Sequence, residues 1–330
     1  MHERILTAIC TLAVATATFA QGDVTNERVL AEAASGENWF LKGGDFRGTH
    51  YSPLTQVNAD NVNTLGLAWA ADLPIPDGIS TTPIVVDGVI YLSGAYSVVF
   101  AVDASNGEVL WTFDPDVRSV LAERPELSWI SRVNRGVAVW DGKVFATTSD
   151  CRLISLDAAT GKENWTKQTC DNDLGYSISD SPYVGGDKVF VGNAGSESEI
   201  NNRGYVSAYN ATSGELEWRF FIVPSHIPAE NDTAALKMAA KTWSGDTLEK
   251  VGGGGNSWNE MTYDPISNQL FFGTSGSNRY NYVDRSPDGG DNLFLSSIVA
   301  VNAETGEYNW HYQTVDKDSW DYNATMNIVL

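Results

Sequence analysis

The residues best suited to chemistry gather near the end of the chain and at three points before it. The segment DKDSWDY presents Asp316, Asp318 and Asp321 around Trp320 and Tyr322. Glu197 and Glu199 sit in GNAGSESEINNRG, a glycine-rich bend between strands. Arg135 lies in VNRG. Trp258 follows Gly252-Gly253-Gly254-Gly255, a run that lets backbone approach another group closely. Carboxylate oxygens suit a hard cation such as Ca²⁺. An arginine pairs with carboxylates through two parallel hydrogen bonds, and an indole offers a stacking face. Together these types fit a flat, anionic cofactor beside a hard cation. Taken one at a time, they also fit a solvated acidic loop and a packing tryptophan.

The elements that must position these residues repeat. Four segments share one signature: AVDASNGEVLW (101–111), SLDAATGKENW (155–165), AYNATSGELEW (208–218) and AVNAETGEYNW (300–310). Each closes a unit of four short strands. In the first unit these are Pro83–Val86, Val89–Ser93, Val98–Val102 and Val109–Phe113. The glycine supplies the turn. The tryptophan supplies a large apolar body to dock on a neighbour, with an N–H that needs a partner. Repeats of this kind are propeller blades. A β-sandwich would not repeat Gly and Trp at fixed offsets. The fold class expected is therefore all-β, a β-propeller of four-stranded blades with Trp-docking repeats. The fourth copy carries a long insertion, Ser275–Leu293. Two long segments between blades, Ser119–Arg135 and Phe221–Ser257, are expected at one end of the channel.

Ahead of the blades, a short helix is expected around Glu27–Ser35, then a flap rich in Gly and aromatics, GENWFLKGGDFRGTHYSPL, and a strand at Leu65–Asp72. Met1–Ala20 reads as a secretory signal: Arg4 is the n-region, Ile5–Ala17 the apolar run, and Thr18-Phe19-Ala20 the cleavage site. The division expected is 1–20 signal, 21–75 flap and first outer strand, and 76–330 blades. The apolar run is too short and Thr-rich for a membrane anchor, and no later segment has spanning length. The protein is expected to be periplasmic, with no integral membrane segment.

The net charge of −21 over 330 residues argues against nucleic acid and anionic membranes as partners. Cys151 and Cys170 flank a predicted hairpin in an oxidising compartment. They read either as a cross-strand disulfide or as two buried thiols. No Cys-x-x-Cys-His motif attaches haem, and the four histidines have no zinc spacing.

From about Asn38 onward the chain resembles the quinoprotein alcohol dehydrogenases, eight-bladed propellers that use pyrroloquinoline quinone (PQQ) and Ca²⁺. The segments that carry the resemblance are SPLTQVNADNVNTLGLAW, VNRGVAVWDGKVF, AAKTWSGD, the GGGG stretch, GGDNLFLSSIVAVNAETGEYNWHYQT and DSWDY. The resemblance implies that Asp321 is the catalytic carboxylate and also helps ligate the cation. It implies that Glu197 is a metal ligand and Trp258 the aromatic floor under the quinone. Arg135, Gly195 and Ser196 match positions at the cofactor's polar edge. Ser179 stands where Thr is usual and keeps the hydroxyl.

Several positions depart from that pattern. The family's adjacent cysteine pair is replaced by Trp129-Ile130. Ser80 stands for a cofactor-binding Glu, and Asn256 for the Thr before the stacking Trp. The usual ligand Asn aligns with Gly276, leaving Asn278, two residues on, as a weak substitute ligand. Asn323 replaces the extra Asp of the lanthanide-dependent relatives, so Ca²⁺ is the expected ion. Four copies are half of eight, and Asn327–Leu330 reads as mid-strand. An incomplete gene product is therefore expected, with a separate second half or a homo-oligomer as alternatives. The function expected is a periplasmic dehydrogenase oxidising a small alcohol to an aldehyde, with cytochrome c as electron acceptor. The alternative is a propeller scaffold or degenerate relative that binds envelope partners without catalysis.

Overall fold

The structure, a computed structural model, describes residues 20–124, 132–195 and 201–330. Four antiparallel sheets of four strands follow one another along the chain, each in simple meander order. Blade 1 comprises β1 (Ile84–Val86), β2 (Val89–Ser93), β3 (Val99–Asp103) and β4 (Val109–Phe113). Blade 2 comprises β5 (Ala138–Trp140), β6 (Lys143–Thr147), β7 (Arg152–Asp157) and β8 (Glu163–Gln168). Blade 3 comprises β9 (Tyr183–Gly185), β10 (Lys188–Val191), β11 (Tyr205–Asn210) and β12 (Leu216–Phe221). Blade 4 comprises β13 (Met261–Asp264), β14 (Gln269–Gly273), β15 (Ser297–Asn302) and β16 (Tyr308–Gln313). The first strands β5, β9 and β13 pack side by side. The first strands of blades 2, 3 and 4 are thus the inner ones.

Burial follows from that layering. Middle strands read as continuous apolar runs, such as Val144-Phe145-Ala146 and Leu153-Ile154, because neighbouring blades cover both faces. The outer strand β4 alternates between half-buried and exposed residues instead. Within each blade one aromatic of the second strand meets the signature tryptophan. The pairs are Tyr91–Trp111, Phe145–Trp165, Phe190–Trp218 and Phe271–Trp310, with centroids 5.8–6.0 Å apart.

The tryptophans also join blade to blade. The indole N–H of Trp111 donates to the Ala158 carbonyl, that of Trp165 to Thr212 and that of Trp218 to Ala303, each at 3.0 Å. Each acceptor lies in the signature turn of the next blade. The turn glycine there, Gly161, Gly214 or Gly306, has φ near +70° and sits flat against the same indole. A Cβ on Gly306 would lie 2.6 Å from the Trp218 ring, so both the backbone angle and the contact demand glycine. No described blade follows Trp310, which is 43% exposed.

The segment ahead of the blades packs on blade 1. Phe40, Leu41 and Phe46 are buried, and Trp39 pairs with Val85 through two backbone hydrogen bonds of 2.9 and 3.0 Å, extending β1. The preceding helix, Asn26–Ser35, is capped by the Thr25 hydroxyl and ends at Gly36. Two local expectations change. Leu65–Asp72 is extended but joins no sheet among the described residues, and Leu67 is 85% exposed. Its Trp69 nonetheless donates to the Ala104 carbonyl at 3.0 Å and lies against Gly107. That is the blade-to-blade contact of the other tryptophans. Asn327–Leu330 also forms no strand: the Leu330 N–H bonds to the Arg47 carbonyl, and the Ile328 carbonyl accepts from Thr262.

Cys151 and Cys170 form a disulfide with Cα atoms 5.1 Å apart, which settles their pairing. Among the described residues no helix is long and apolar enough to cross a membrane.

Candidate active site

Three of the expected site residues enter the fold at equivalent places. Arg135 stands three residues before β5, Ser179 four before β9 and Trp258 three before β13. Each lies where the chain turns from the previous blade into an innermost strand, so successive blades deliver their side chains to one end of the channel. This shared offset is a sequence signal that the motifs alone did not exploit.

Arg135 and Ser179 are held together. The Arg135 backbone N–H donates to the Ser179 carbonyl at 3.1 Å, and its guanidinium Nη1 donates to Ser179 Oγ at 2.6 Å. The same guanidinium lies 5.1 Å from the centroid of the Trp258 ring. At this distance a cation is attracted to an aromatic face. Trp258 is half-buried at the end of the glycine run, whose four residues have φ of +77°, +93°, +76° and +77°. Only glycine adopts consecutive left-handed angles of this kind readily. The run lets the loop lie against Gly204 and the Asn202 backbone. Farther on, the Ser257 carbonyl approaches Gly192 so closely that a Cβ there would collide at 2.0 Å.

Asp321 joins the group through Asn323. Asn323 Nδ2 donates to Asp321 Oδ1 at 3.1 Å, and Asn323 Oδ1 accepts the Trp258 indole N–H at 3.1 Å. The three acids of DKDSWDY separate in space. Asp316 and Asp321 are exposed. Asp318 is 3% exposed and turns its carboxylate onto the loop's own backbone, accepting from the N–H groups of Trp320 and Tyr322 at 2.9 Å each.

Gly195 has φ +126°, and a Cβ there would lie 2.2 Å from the Gly175 carbonyl oxygen, so the chain passes through a gap only glycine fits. Ser196, Glu197 and Glu199 lie outside the described residues, as do Trp129 and Ile130. Asn278 is half-buried, and its Oδ1 accepts from the Ser277 hydroxyl at 3.3 Å. Position 276 is better aimed: a Cβ on Gly276 would lie 4.0 Å from Asp321 Oδ1 and 3.1 Å from Asp318 Oδ2. No group of three or more His, Cys, Asp or Glu assembles as a cation site among the described residues.

The residues present suit a polar, flat cofactor. Beside Gly195, the side chain of Asn202 is fully buried, and neither its Nδ2 nor its Oδ1 has a hydrogen-bond partner among the described residues. The Ser257 hydroxyl next to Trp258 is likewise buried without a partner. Unpaired buried polar atoms are costly in a finished fold and call for a partner, which a bound ligand, ion or water can supply. For a hard cation, Asp321 supplies carboxylate oxygen of the right type.

Glu260 is a residue that sequence reading missed. It is 4% exposed, two positions past Trp258, and its Oε2 has no partner among the described residues. Burial pushes its carboxyl up to about 7; nearby Lys42 opposes the shift and Asp180 reinforces it. Lys42 and Asp180 themselves pair at 3.2 Å.

Four repeated four-stranded blades bring a tryptophan, an arginine–serine pair and, through Asn323, a carboxylate together. The chain belongs to the PQQ family described as glucose/ethanol/alcohol dehydrogenase, β-propeller domain, which matches residues 39–330. It is 45% identical over 332 residues to quinohemoprotein alcohol dehydrogenase ADH IIB of Pseudomonas putida, covering 100% of this chain and 47% of that protein. It is 41% identical over 306 residues to 1-butanol dehydrogenase (cytochrome c) of Thauera butanivorans, covering 90% of this chain and 42% of that one. The solved structure of quinohemoprotein alcohol dehydrogenase ADHIIG from Pseudomonas putida HK5 matches with a TM-score of 0.88 at 44% identity, covering 93% of this chain and 44% of that one. The chain thus spans less than half the length of these relatives.

Proposed function

We propose that this chain forms the cofactor-facing part of a PQQ-dependent alcohol dehydrogenase. The observation that carries the reading is the link from Trp258 through Asn323 to Asp321, which joins a stacking face to a proton acceptor. PQQ, when bound, supplies the two-electron acceptor. Trp258 gives a flat ring system its floor. Arg135 and Ser179 offer a cation and a hydroxyl to anionic edges, the role proposed also for Gly195 and Ser196. Asp321 takes the hydroxyl proton of a small alcohol. The alcohol loses that proton from its oxygen and a hydride from the carbon bearing the hydroxyl, two electrons in all, leaving an aldehyde. Ca²⁺ would be held by Asp321 and Glu197, with Asn278 as a third, weaker oxygen donor.

The reading extends to the setting. The disulfide between Cys151 and Cys170 favours an exported, periplasmic protein. The cytochrome c in the name of the Thauera butanivorans relative favours a cytochrome c as the electron acceptor. The exposed Trp310, and Trp69 on a segment without sheet partners, favour a ring completed by further blades. These come from a continuing chain, a separate one or a second copy.

Titration of the purified protein with PQQ in Ca²⁺, followed by tryptophan fluorescence, tests the reading. Saturable quenching that is lost in Trp258→Ala is expected. No quenching by PQQ at any Ca²⁺ concentration would overturn it.

A further inference from the structure

Asp321 stands in an unfavourable backbone conformation. Its φ is +58°, in the left-handed region that residues with a Cβ disfavour. Something must hold it there, and the groups that do so belong to its neighbours. Asp318 Oδ1 accepts the N–H of residue 320 and Oδ2 accepts the N–H of residue 322, both at 2.9 Å. One buried carboxylate thus pins the backbone on both sides of Asp321. Ser296 Oγ donates to the Tyr322 carbonyl at 2.7 Å, with Asp318 Oδ2 only 3.3 Å away.

Asp318 is itself braced from the insertion. Arg285, 1% exposed, donates from Nη2 to the Asp318 carbonyl at 2.7 Å. Its Nη1 reaches the carbonyls of Arg279 at 2.7 Å and Tyr280 at 3.1 Å, and its Nε the Asn292 side chain at 3.0 Å. The guanidinium uses all three nitrogens, mostly on backbone; burial lowers its pKa to about 10, and the Asp318 carboxylate opposes that shift. A lysine has no such fork. The insertion Ser275–Leu293 therefore ties together the loop beside Gly276 and the loop that carries Asp321.

We infer that Asp318 is a positioning residue for Asp321, holding its carboxylate in place through the amides of Trp320 and Tyr322, with Arg285 as the brace. The inference rests on the role proposed for Asp321 above. A displacement of about 1 Å at a reacting group costs roughly 10²-fold in rate, so a loosened loop shows in turnover before it shows in cofactor binding.

The test compares Asp318→Asn with the parent, which keeps the side chain's size but leaves one acceptor oxygen for two amides. Native-state hydrogen exchange is read first, without cofactor. Faster exchange at the Trp320 and Tyr322 amides, by about tenfold for the loss of one hydrogen bond, is expected; unchanged exchange overturns the latch. The holoenzyme loaded with PQQ and Ca²⁺ is read next. Turnover about 10²-fold lower, with KM and PQQ affinity within a few-fold of the parent, is the expected split. Unchanged turnover, or turnover and PQQ affinity falling together, overturns the positioning role. If Asp318→Asn does not fold, Ser296→Ala carries the same comparison, with the same split expected in smaller measure. Failure of the parent to bind PQQ is a separate result: it removes the enzyme reading, while the exchange experiment still decides the latch.

Discussion

Asn323 bridges Trp258 and Asp321, accepting at 3.1 Å from the indole, which lies 65 residues earlier in the chain, and donating to the carboxylate at 3.1 Å. Blade 4 and the segment that follows it thus fix the distance between a stacking face and a proton acceptor. Asn323→Ala frees both ends. One lost hydrogen bond of about 1 kcal/mol predicts PQQ affinity weakened by about fivefold, read by fluorescence titration. Turnover falls further, because the carboxylate also loses its anchor. Unchanged values for both would show that the bridge does not matter.

The tryptophan docking accounts for the cohesion of the blades. Trp218 is 8% exposed, and its N–H bonds to the Ala303 carbonyl. Trp218→Ala is expected to destabilise by about 3–5 kcal/mol, as large-to-small changes of a buried aromatic do. Trp218→Phe, which keeps an apolar ring but strands the carbonyl, is expected to cost about 1–3 kcal/mol. Urea denaturation followed by circular dichroism distinguishes the two.

Glu260 makes a pH prediction. Its folded carboxyl titrates near 7, above its ordinary value, because burial disfavours the charge. The folded state therefore holds a proton that the unfolded state has released between roughly pH 4.5 and 7. The group's contribution to stability is full below pH 4.5, falls as pH rises through this window, and levels off above 7. About 2.5 units of difference amount to about 3 kcal/mol. Glu260→Gln is expected to remove this decline, so the variant gains on the parent as pH rises from 5 to 8. A constant difference between the two across that range would place the titration elsewhere.

Much of the architecture could be read from the chain because its signals are local and repeated. The signature sets a turn glycine and a tryptophan at fixed offsets; the structure uses the glycine in all four described blades and docks the tryptophan of the first three on the next blade. Trp69 shows the limit. The strand expected at Leu65–Asp72 needs neighbours to bond with, and no described strand lies beside it, yet its tryptophan docks like the rest. At the site, the sequence motifs single out Arg135, Ser179, Trp258 and Asp321, and the fold links them through direct contacts and Asn323. The sequence could not divide the labour among Asp316, Asp318 and Asp321, since burial of one and exposure of another depend on how a single loop turns. Nor could it find the Asn323 bridge or the Arg285 brace, which join residues far apart in the chain. Glu260 escaped because a polar residue at the mouth of a strand looks ordinary until burial is known.

The central claim is that Asp321 is the proton acceptor of an alcohol oxidation. Turnover of a small alcohol by the PQQ- and Ca²⁺-loaded protein, read with an artificial dye, should vanish in Asp321→Asn while PQQ still binds. An Asp321→Asn protein that turns over at the parent rate would contradict it.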